Sequence, residues 1–369
     1  MTGGRMGRPK QQYNEPLVTI IVPVYNGEKY IDGFLESLKK QSIKDWQCIF
    51  INDCSTDNSM FHIMRYYEKD KIRLLNNKVN QGYADCVNKA YKLVNSKYFM
   101  CINIDVTFGK NFLKDLIRYI EVDNGFNIGM VCPLAYKDKK KDLAFFNDIF
   151  YKKKQSISLT TTGNIGFIPA KYHPKTKDLV ETFYHGVFLC RTEQIRWVCG
   201  KDNLFDEDYH IYCEDMFLCW KLKANGYKIY IAPKVNYWHY CGSSRLDADI
   251  NRKATFHGTK NKVMTLMIFH QYMDLLRLLP LIFVSELIYL MYDLRKIHIK
   301  LKAYLWILCN LMKIHRKHMA VNRDVTSDVL QDMNFKIYEP LRGGRVIKFI
   351  LSIVNRLSYI YLKVVFMGF

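Results

Sequence analysis

Two neighbouring carboxylates and one histidine in the second half of the sequence could supply a general base and a metal ligand. Glu214 and Asp215 stand where a helix is predicted to begin, and Asn225-Gly226 is predicted to end it. A strand from Lys228 to Ala232 follows, and then His239 in an aromatic segment. Carboxylates at a helix N-terminus can be simple capping charges worth ~0.3–1 kcal/mol. Brought to one sheet edge with a histidine, they could instead accept a proton and help to bind a metal ion.

The N-terminal part of the chain alternates between buried strands and amphipathic helices. Strands are predicted at Leu17 to Asn26, Gln47 to Asn52, Ile72 to Leu75 and Tyr98 to Ile102, with helices between them. This alternation predicts an α/β fold with a doubly wound, mostly parallel sheet. Ligands bind at the carboxyl ends of strands in such sheets. Asn26, Asp53, Asn103 and Asp105 fall at those ends, so one crevice is predicted to contain them.

No Gly-x-Gly-x-x-Gly or Walker sequence follows these predicted strands. A bound phosphate is therefore expected to be held through a divalent metal ion, Mg²⁺ or Mn²⁺. Simpler interpretations remain for the single residues: Asp53 can form an Asx turn, Asp57 can cap a helix, and Asp105 can be a polar strand end.

Several short motifs resemble, in order and spacing, the family-2 inverting glycosyltransferases with the GT-A fold, from roughly Pro16 to Ser244. They are Thr19 to Asn26, Asp53 to Asp57, Asn80-Gln81-Gly82 with Asn88, Asn103-Ile104-Asp105, Glu214-Asp215 and His239. The Asn-x-Asp form and the segment Tyr184 to Arg191 are similar to the rhamnosyltransferase-like subgroup that extends lipid-linked glycans. A small residue is more usual there than His185.

The resemblance implies a role for each matching residue. The site for the donor nucleotide would include Pro23, Tyr25, Asn26, Asp53, Gly82 and Asn103. Asp105 and His239 would bind the metal ion that bridges the donor diphosphate. Asp215, or less readily Glu214, would be the catalytic base. Lys260 and Asn261 are candidates for the acceptor site.

The implied reaction is metal-dependent transfer of a hexosyl or deoxyhexosyl group, with inversion, from a nucleotide-diphospho-sugar donor to a hydroxyl of a lipid-linked or membrane-proximal glycan. A positioned base contributes ~10²–10⁴-fold to such a reaction. Gln194 to Trp197 is one residue short of the Gln-x-x-Arg-Trp of processive synthases, and it precedes the acidic pair. A non-processive enzyme with Trp197 in the core is therefore predicted.

Composition and charge indicate the class of protein and the kind of partner it binds. Hydrophobic residues make up 49% of the 369 residues, which is typical of a globular protein, and the net charge of +20 indicates an anionic partner. The eleven cysteines form no Cys-x-x-Cys, which favours reduced thiols in the cytoplasm. Residues 1–15 are predicted to be disordered and to contain no secretory signal, residues 16–244 to form the catalytic domain, and residues 245–369 to form a helical C-terminal region.

Apolar segments in the C-terminal region are interrupted by charged residues. They fall short of the ~20 consecutive apolar residues that a membrane-spanning helix needs. These segments are Leu275 to Tyr292, Leu301 to Met312 and Val346 to Phe369. They are expected to lie in the surface of an anionic membrane, as a peripheral contact on its cytoplasmic face. Packing on the catalytic domain as ordinary core helices is the alternative. The lysine-rich runs Lys137 to Lys141 and Lys152 to Lys154 are expected to be solvated loops.

Two other function classes compete with an active transferase. One is a catalytically silent sugar-binding or scaffolding protein of the same fold, which the presence of Asp53, Asp105, Asp215 and His239 argues against. The other is a nucleic-acid-binding protein, suggested by the charge alone. No nucleic acid is expected as a partner, because the aromatic residues lie in apolar patterns and do not alternate with basic ones.

Overall fold

A computed structural model of the chain describes residues 16–68, 70–122, 127–137, 155–159, 165–169, 171–182, 186–240, 248–292, 294–321, 352–358 and 360–361. Its strands are β1 (Val18–Val24), β2 (Trp46–Asn52), β3 (Ile72–Asn76), β4 (Tyr98–Cys101), β5 (Val106–Phe108), β6 (Ile128–Tyr136), β7 (Gln155–Leu159), β8 (Ile165–Pro169), β9 (Tyr172–His173), β10 (Thr176–Glu181), β11 (Phe188–Arg191) and β12 (Lys228–His239). Its helices are α1 (Glu28–Lys39), α2 (Ser59–Arg65), α3 (Tyr83–Tyr91), α4 (Phe112–Ile120), α5 (Thr192–Cys199), α6 (Glu214–Lys223), α7 (Ala248–Phe269), α8 (Tyr272–Tyr292), α9 (Ile297–Cys309) and α10 (Leu311–Met319). The predictions for residues 1–15, for most of the lysine-rich runs and for Tyr184-His185 lie outside the described residues.

The main sheet has the strand order β3-β2-β1-β4-β11-β6-β12-β10-β9, and β5 pairs with the end of β12. The first four strands are parallel, as predicted. Beyond β4 the sheet is mixed: β6 and β12 are parallel, whereas β11 runs antiparallel to both β4 and β6, and β10 runs antiparallel to β12. The fold is therefore a mixed α/β sheet. Antiparallel neighbours need no crossover helix between them, so the strand and helix alternation of the N-terminal part does not extend to them.

Strand β12 is longer than predicted, and its extra length carries His239. The prediction ended at Ala232, where Pro233 cannot donate to a ladder. In the structure the register with β6 shifts between Ala232 and Asn236, and pairing then resumes up to Trp238. The proline is accommodated at this irregularity, and the strand continues to His239 at the sheet edge.

The core lies on both faces of the sheet, which explains why β1 and β2 are continuous apolar runs. Ile21 and Ile51 point into one cluster and Ile20 and Phe50 into the other. The first cluster also contains residues of α7, α9 and α10, so these helices pack on the sheet domain as the core-helix alternative expected. Within the described residues, the structure contains no helix of the length and apolar character needed to cross a membrane.

Candidate active site

The acidic pair stands at the first turn of α6, where two residues adopt the left-handed conformation. Tyr212 and Cys213 have φ values of 68° and 64°, which L-residues with side chains rarely adopt. Helix α6 then begins at Glu214, and Gly226, with φ 77°, follows its end as the predicted stop. Both carboxylates are 8% exposed. The pair is therefore placed by a strained turn and lies almost entirely inside the protein.

Burial and proximity change the protonation of this pair. Burial, with repulsion from Asp215 as the second cause, raises the pKa of Glu214 from 4.5 to about 8. Glu214 Oε2 is buried and accepts no hydrogen bond within the described part of the chain. Burial also raises the pKa of Tyr83, and Glu214 and Asp215 contribute to that shift. Burial and the mutual repulsion of the two carboxylates therefore favour a proton on the pair.

Asp105 and His239 come together at the edge of the sheet, as predicted. Strand β5 starts directly after Asp105 and pairs antiparallel with the end of β12, so that Val106 lies opposite His239. His239 Nε2 lies 3.3 Å from Asp105 Oδ2, and the two side chains are 29% and 16% exposed. Asn103, two residues before Asp105, is half-buried. This edge therefore presents a carboxylate and an imidazole that solvent can reach.

The donor set of this edge fits a hard divalent cation in part. Asp105 offers carboxylate oxygens and His239 an imidazole nitrogen, both of which bind Mn²⁺. Among the residues that the structure describes, no group of three or more His, Cys, Asp or Glu side chains is arranged to hold a metal ion. A cation on these two side chains would need its remaining oxygen ligands from a bound diphosphate and from water.

Asp53 is almost fully buried, and its carboxylate binds the segment that leads into α3. Oδ1 accepts hydrogen bonds from Asn77 Nδ2 and the Gln81 amide, and Oδ2 accepts one from the Gly82 amide, each at 2.8 Å. Gly82 has φ +88°, and a Cβ there would lie 2.4 Å from His210 Nδ1. Glycine is therefore required for the close contact with His210, and the nucleotide contacts of Asp53 and Gly82 stay predictions.

The end of β1 is bound to the loop after β2. The Asn26 side-chain oxygen accepts a hydrogen bond from the Thr56 backbone amide at 2.8 Å. The Asn26 backbone amide donates to Ser55 Oγ at 3.0 Å. Pro23 is half-buried and Tyr25 is 49% exposed, so its ring is available to a ligand. The N-cap of α2 is Asn58, one residue after the predicted Asp57. Asp57 still accepts hydrogen bonds from the amides of Ser59 and Glu28.

Lys260 and Asn261 of α7 are buried, with 4% and 0% exposure, and both bind backbone of residues 206–213, which we call the acidic loop. Lys260 Nζ donates to the Asp208 carbonyl at 2.5 Å. Asn261 Nδ2 donates to the carbonyls of Ile211 and Tyr212, at 3.0 and 2.7 Å. Contact with an acceptor stays a prediction for both residues, whereas contact with the acidic loop is what the structure shows.

Sequence reasoning missed the other residues that bind the acidic loop. Lys313 Nζ and Lys317 Nζ of α10 lie 2.7 and 2.5 Å from the Asp208 carboxylate. Burial opposes ionisation of Asp208, but hydrogen bonds from Lys313 and Lys317 lower its pKa. On the other side, the His210 carbonyl accepts a hydrogen bond from the Ala84 amide. The acidic residues Asp206 to Asp208, before the Glu214–Asp215 pair, were the only sequence feature that indicated basic partners. They did not identify those partners as lysines about a hundred residues away.

Trp197 is 83% exposed, so its predicted place in the core is wrong. Helix α5 buries Thr192, Gln194 and Ile195, and Trp197 lies two positions beyond Ile195, on the opposite face.

Comparison with known proteins identifies the family of the part of the chain that contains Asp53 and Asp105, whereas Glu214, Asp215 and His239 lie beyond the matched residues. Residues 19–185 match the model of the glycosyl transferase family 2. Residues 19–185 are a family 2 glycosyltransferase domain. The resemblance seen in its motifs is therefore confirmed at the level of the family, and the rhamnosyltransferase-like subgroup stays a prediction.

Individual relatives of this family 2 domain agree. The chain is similar to the UDP-Glc:α-D-GlcNAc-diphosphoundecaprenol β-1,3-glucosyltransferase WfgD of Escherichia coli, with 32% identity over 108 residues, which are 29% of this chain and 42% of that protein. The chain thus spans less than half the length of the curated relatives it matches.

Two solved structures share the fold of this family 2 domain. Staphylococcus aureus TarS 1–349 in complex with UDP-GlcNAc aligns with a TM-score of 0.51 and 16% identity, over 86% of this chain and 93% of that one. GalNAc-T7 with UDP, GalNAc and Mn²⁺ aligns with a TM-score of 0.55 and 12% identity, over 87% and 58%. At such identities the likeness shows the GT-A fold alone.

Proposed function

We propose that this chain is an inverting, metal-dependent, non-processive glycosyltransferase that moves a hexosyl or deoxyhexosyl group from a nucleotide-diphospho-sugar to a hydroxyl of a lipid-linked glycan. The observation that carries the proposal is the buried Glu214–Asp215 pair. Burial and repulsion raise the pKa of Glu214, so in this proposal Glu214 holds the proton of the pair and Asp215, as the ionised member, acts as the base. WfgD, whose name specifies a diphosphoundecaprenol-linked acceptor, supports the acceptor class.

In this reaction Asp215 takes the proton of the acceptor hydroxyl. The acceptor oxygen forms a bond to the anomeric carbon while the bond from that carbon to the donor diphosphate breaks. One displacement of this kind inverts the anomeric configuration, and the proton remains on Asp215 until solvent removes it. A neutral Glu214 beside the base avoids a second negative charge in the same buried site.

Asp105 and His239 are the residues that would hold the metal ion, as Mn²⁺ or Mg²⁺. Such an ion would neutralise charge on the leaving nucleoside diphosphate. The imidazole of His239 favours Mn²⁺ of the two, because Mg²⁺ prefers oxygen ligands. The donor nucleotide would lie along the strand ends, against Pro23, Tyr25, Asn26, Asp53, Gly82 and Asn103. Asn103-Ile104-Asp105 is the motif that supports a rhamnosyltransferase-like donor preference.

We also propose that the C-terminal region, residues 245–369, binds an anionic membrane peripherally on its cytoplasmic face. Large apolar side chains recur along the outer side of α9 and α10 and are exposed by 42–68%: Ile297, Leu301, Leu305, Leu308, Leu311 and Met312. The sequence from Leu294 to Arg323 carries eight Lys or Arg and no Asp or Glu, and three of the eight, Lys300, Lys313 and Lys317, bind carboxylates of the protein. An exposed apolar face on basic helices is the combination that binds anionic lipid surfaces.

The experiment that tests the catalytic proposal is a thermal titration followed by a transfer assay. UDP, dTDP, GDP and CMP are each added with and without Mn²⁺, and a metal-dependent rise in Tm with one of them identifies the donor class. Turnover is then measured with the matching sugar nucleotides and a prenyl-diphosphate sugar acceptor. Metal-dependent binding without turnover for any donor would favour the silent sugar-binding alternative.

A further inference from the structure

The acidic loop, residues 206–213, leads directly to the proposed base and is bound from two sides. On the sheet side, the His210 carbonyl accepts the amide hydrogen of Ala84, and the backbone of Phe205 exchanges two hydrogen bonds of 2.9 Å with the Asn88 side chain. On the other side, α7 and α10 contribute Lys260, Asn261, Lys313 and Lys317. The position of Asp215 therefore depends on a loop that the C-terminal helices fix.

The last two residues of this loop are the least favourable part of its backbone. Tyr212 and Cys213 are both left-handed and neither is glycine. Such conformations persist only where surrounding contacts impose them. A change at this turn would rotate the first turn of α6 and move both carboxylates.

Asn261 is the side chain placed to impose this turn. Its amide group is fully buried, and it donates to the two carbonyls, of Ile211 and Tyr212, that bracket the start of the left-handed pair. Contacts one turn further along α7 fix Asn261 in turn. Thr265 Oγ1 donates a hydrogen bond of 2.7 Å to the Asn261 carbonyl, and the same hydroxyl is hydrogen-bonded to Tyr209.

We propose that Asn261 is a positioning residue for the transfer reaction, which orients the Glu214–Asp215 pair by binding the backbone of the turn before it. This inference rests on the proposed function, because it assigns Asn261 an effect on turnover through Asp215. It differs from an acceptor-binding role, since Asn261 is fully buried and its amide donors are already used by the turn.

The test compares Asn261→Ala with a matched variant of the same helical region, Lys300→Met. Lys300 is buried on α9 and binds Glu286 of α8 at 2.5 Å, and Glu286 also binds Lys262 of α7 at 2.6 Å, so loss of Lys300 perturbs the packing of the C-terminal helices but leaves the hydrogen bonds from Asn261 to the turn in place. For Asn261→Ala we expect kcat to fall about tenfold or more while the donor KM stays within about twofold. For Lys300→Met we expect a lower Tm and a kcat within about twofold of the parent.

A second substitution tests the backbone argument. Glycine adopts positive φ without a steric penalty, so Cys213→Gly removes part of the need for an imposed turn. The double variant Asn261→Ala with Cys213→Gly should therefore recover at least about threefold of the lost kcat. If Asn261→Ala gives no cooperative melt, Asn261→Leu takes its place, because it has nearly the same size but lacks the two amide donors.

The inference is overturned if the Asn261 variant that folds turns over like the parent, or if it loses kcat only as much as Lys300→Met does. Asp215→Asn is assayed in parallel. An inactive Asp215→Asn beside a fully active Asn261→Ala rejects the positioning role alone, whereas an active Asp215→Asn rejects the proposed base.

If the parent transfers no sugar, the rate of hydrogen exchange of the backbone amides of residues 206–217 decides. Faster exchange in Asn261→Ala than in Lys300→Met supports the role of Asn261, and equal exchange rejects it.

Discussion

Replacing Glu214 with glutamine should make the protein more stable at alkaline pH, although it removes a charged residue from the candidate active site. In the folded protein, burial and repulsion from Asp215 raise the pKa of Glu214 from 4.5 to about 8. The unfolded chain keeps the ordinary value near 4.5. Between these two values the folded state binds a proton that the unfolded state has lost, so the wild-type protein loses stability as the pH rises.

The size of the effect follows from the width of that pH window. Each pH unit within it costs the folded state at most about 1.4 kcal/mol, which gives on the order of 3–4 kcal/mol between pH 5 and pH 8. Glutamine is neutral at every pH in this range and nearly the same size. The free energies of unfolding of Glu214→Gln and wild type should therefore be similar at pH 5 and differ by that amount at pH 8, with the variant the more stable.

Urea unfolding at pH 5, 6, 7 and 8 measures this difference directly. Glu207→Gln is the matched control, because Glu207 lies in the acidic loop with a side chain that is 68% exposed and forms an ion pair with Lys313 at the surface. The control should follow the wild-type pH dependence. Parallel curves for wild type and Glu214→Gln, or a variant that is less stable at pH 8, would refute the assignment of the shared proton to Glu214.

Three further predictions concern the proposed function. Asp215→Asn should lower kcat by about a hundredfold or more with little change in Tm, and rate measurements that show near-parent turnover would remove Asp215 as the base. Asp105→Asn should abolish the Mn²⁺-dependent part of the nucleotide-induced rise in Tm, while an unchanged rise would place the metal ion elsewhere. Leu305→Glu with Leu308→Glu should reduce sedimentation with vesicles of anionic phospholipid by about tenfold, because both side chains are more than half exposed on the proposed membrane face. Phe61→Glu, at a side chain 65% exposed on α2, should bind the vesicles like the parent.

The sequence predicted best those features that depend on local pattern. The parallel strands β1 to β4 and the carboxylate pair at the start of α6 follow from apolar runs and helix signals within about twenty residues of each other. The contact of Asp105 with His239 was expected from the family resemblance, and it forms because β12 continues beyond Pro233 and pairs with β5. A proline within a strand pattern usually marks its end, so local rules placed the strand end too early.

The antiparallel pairings of the sheet and the residues that bind the acidic loop could not be predicted in the same way, because they depend on contacts between distant segments. Lys313 and Asp208 are separated by more than a hundred residues, and either residue alone has the appearance of a solvated surface charge. Asn261 was singled out as an acceptor candidate, which stays a prediction, and its environment in the structure is set by the turn at Tyr212 and Cys213. Positive φ at two consecutive non-glycine residues has no signal in a single sequence.

The position of Lys313 and Lys317 also bears on how the net charge of +20 is interpreted. Part of this excess is neutralised inside the protein, since Lys317 binds both Asp206 and Asp208. On the same helix, Met312 and Met319 are exposed by 68% and 59%, so α10 contacts the acidic loop with one face and offers an apolar face outward. Substitutions on the outer face of α10 could therefore disturb the acidic loop as well as membrane binding. For this reason the membrane prediction uses Leu305 and Leu308 on α9, and its variants should keep full turnover of a water-soluble acceptor while losing vesicle binding.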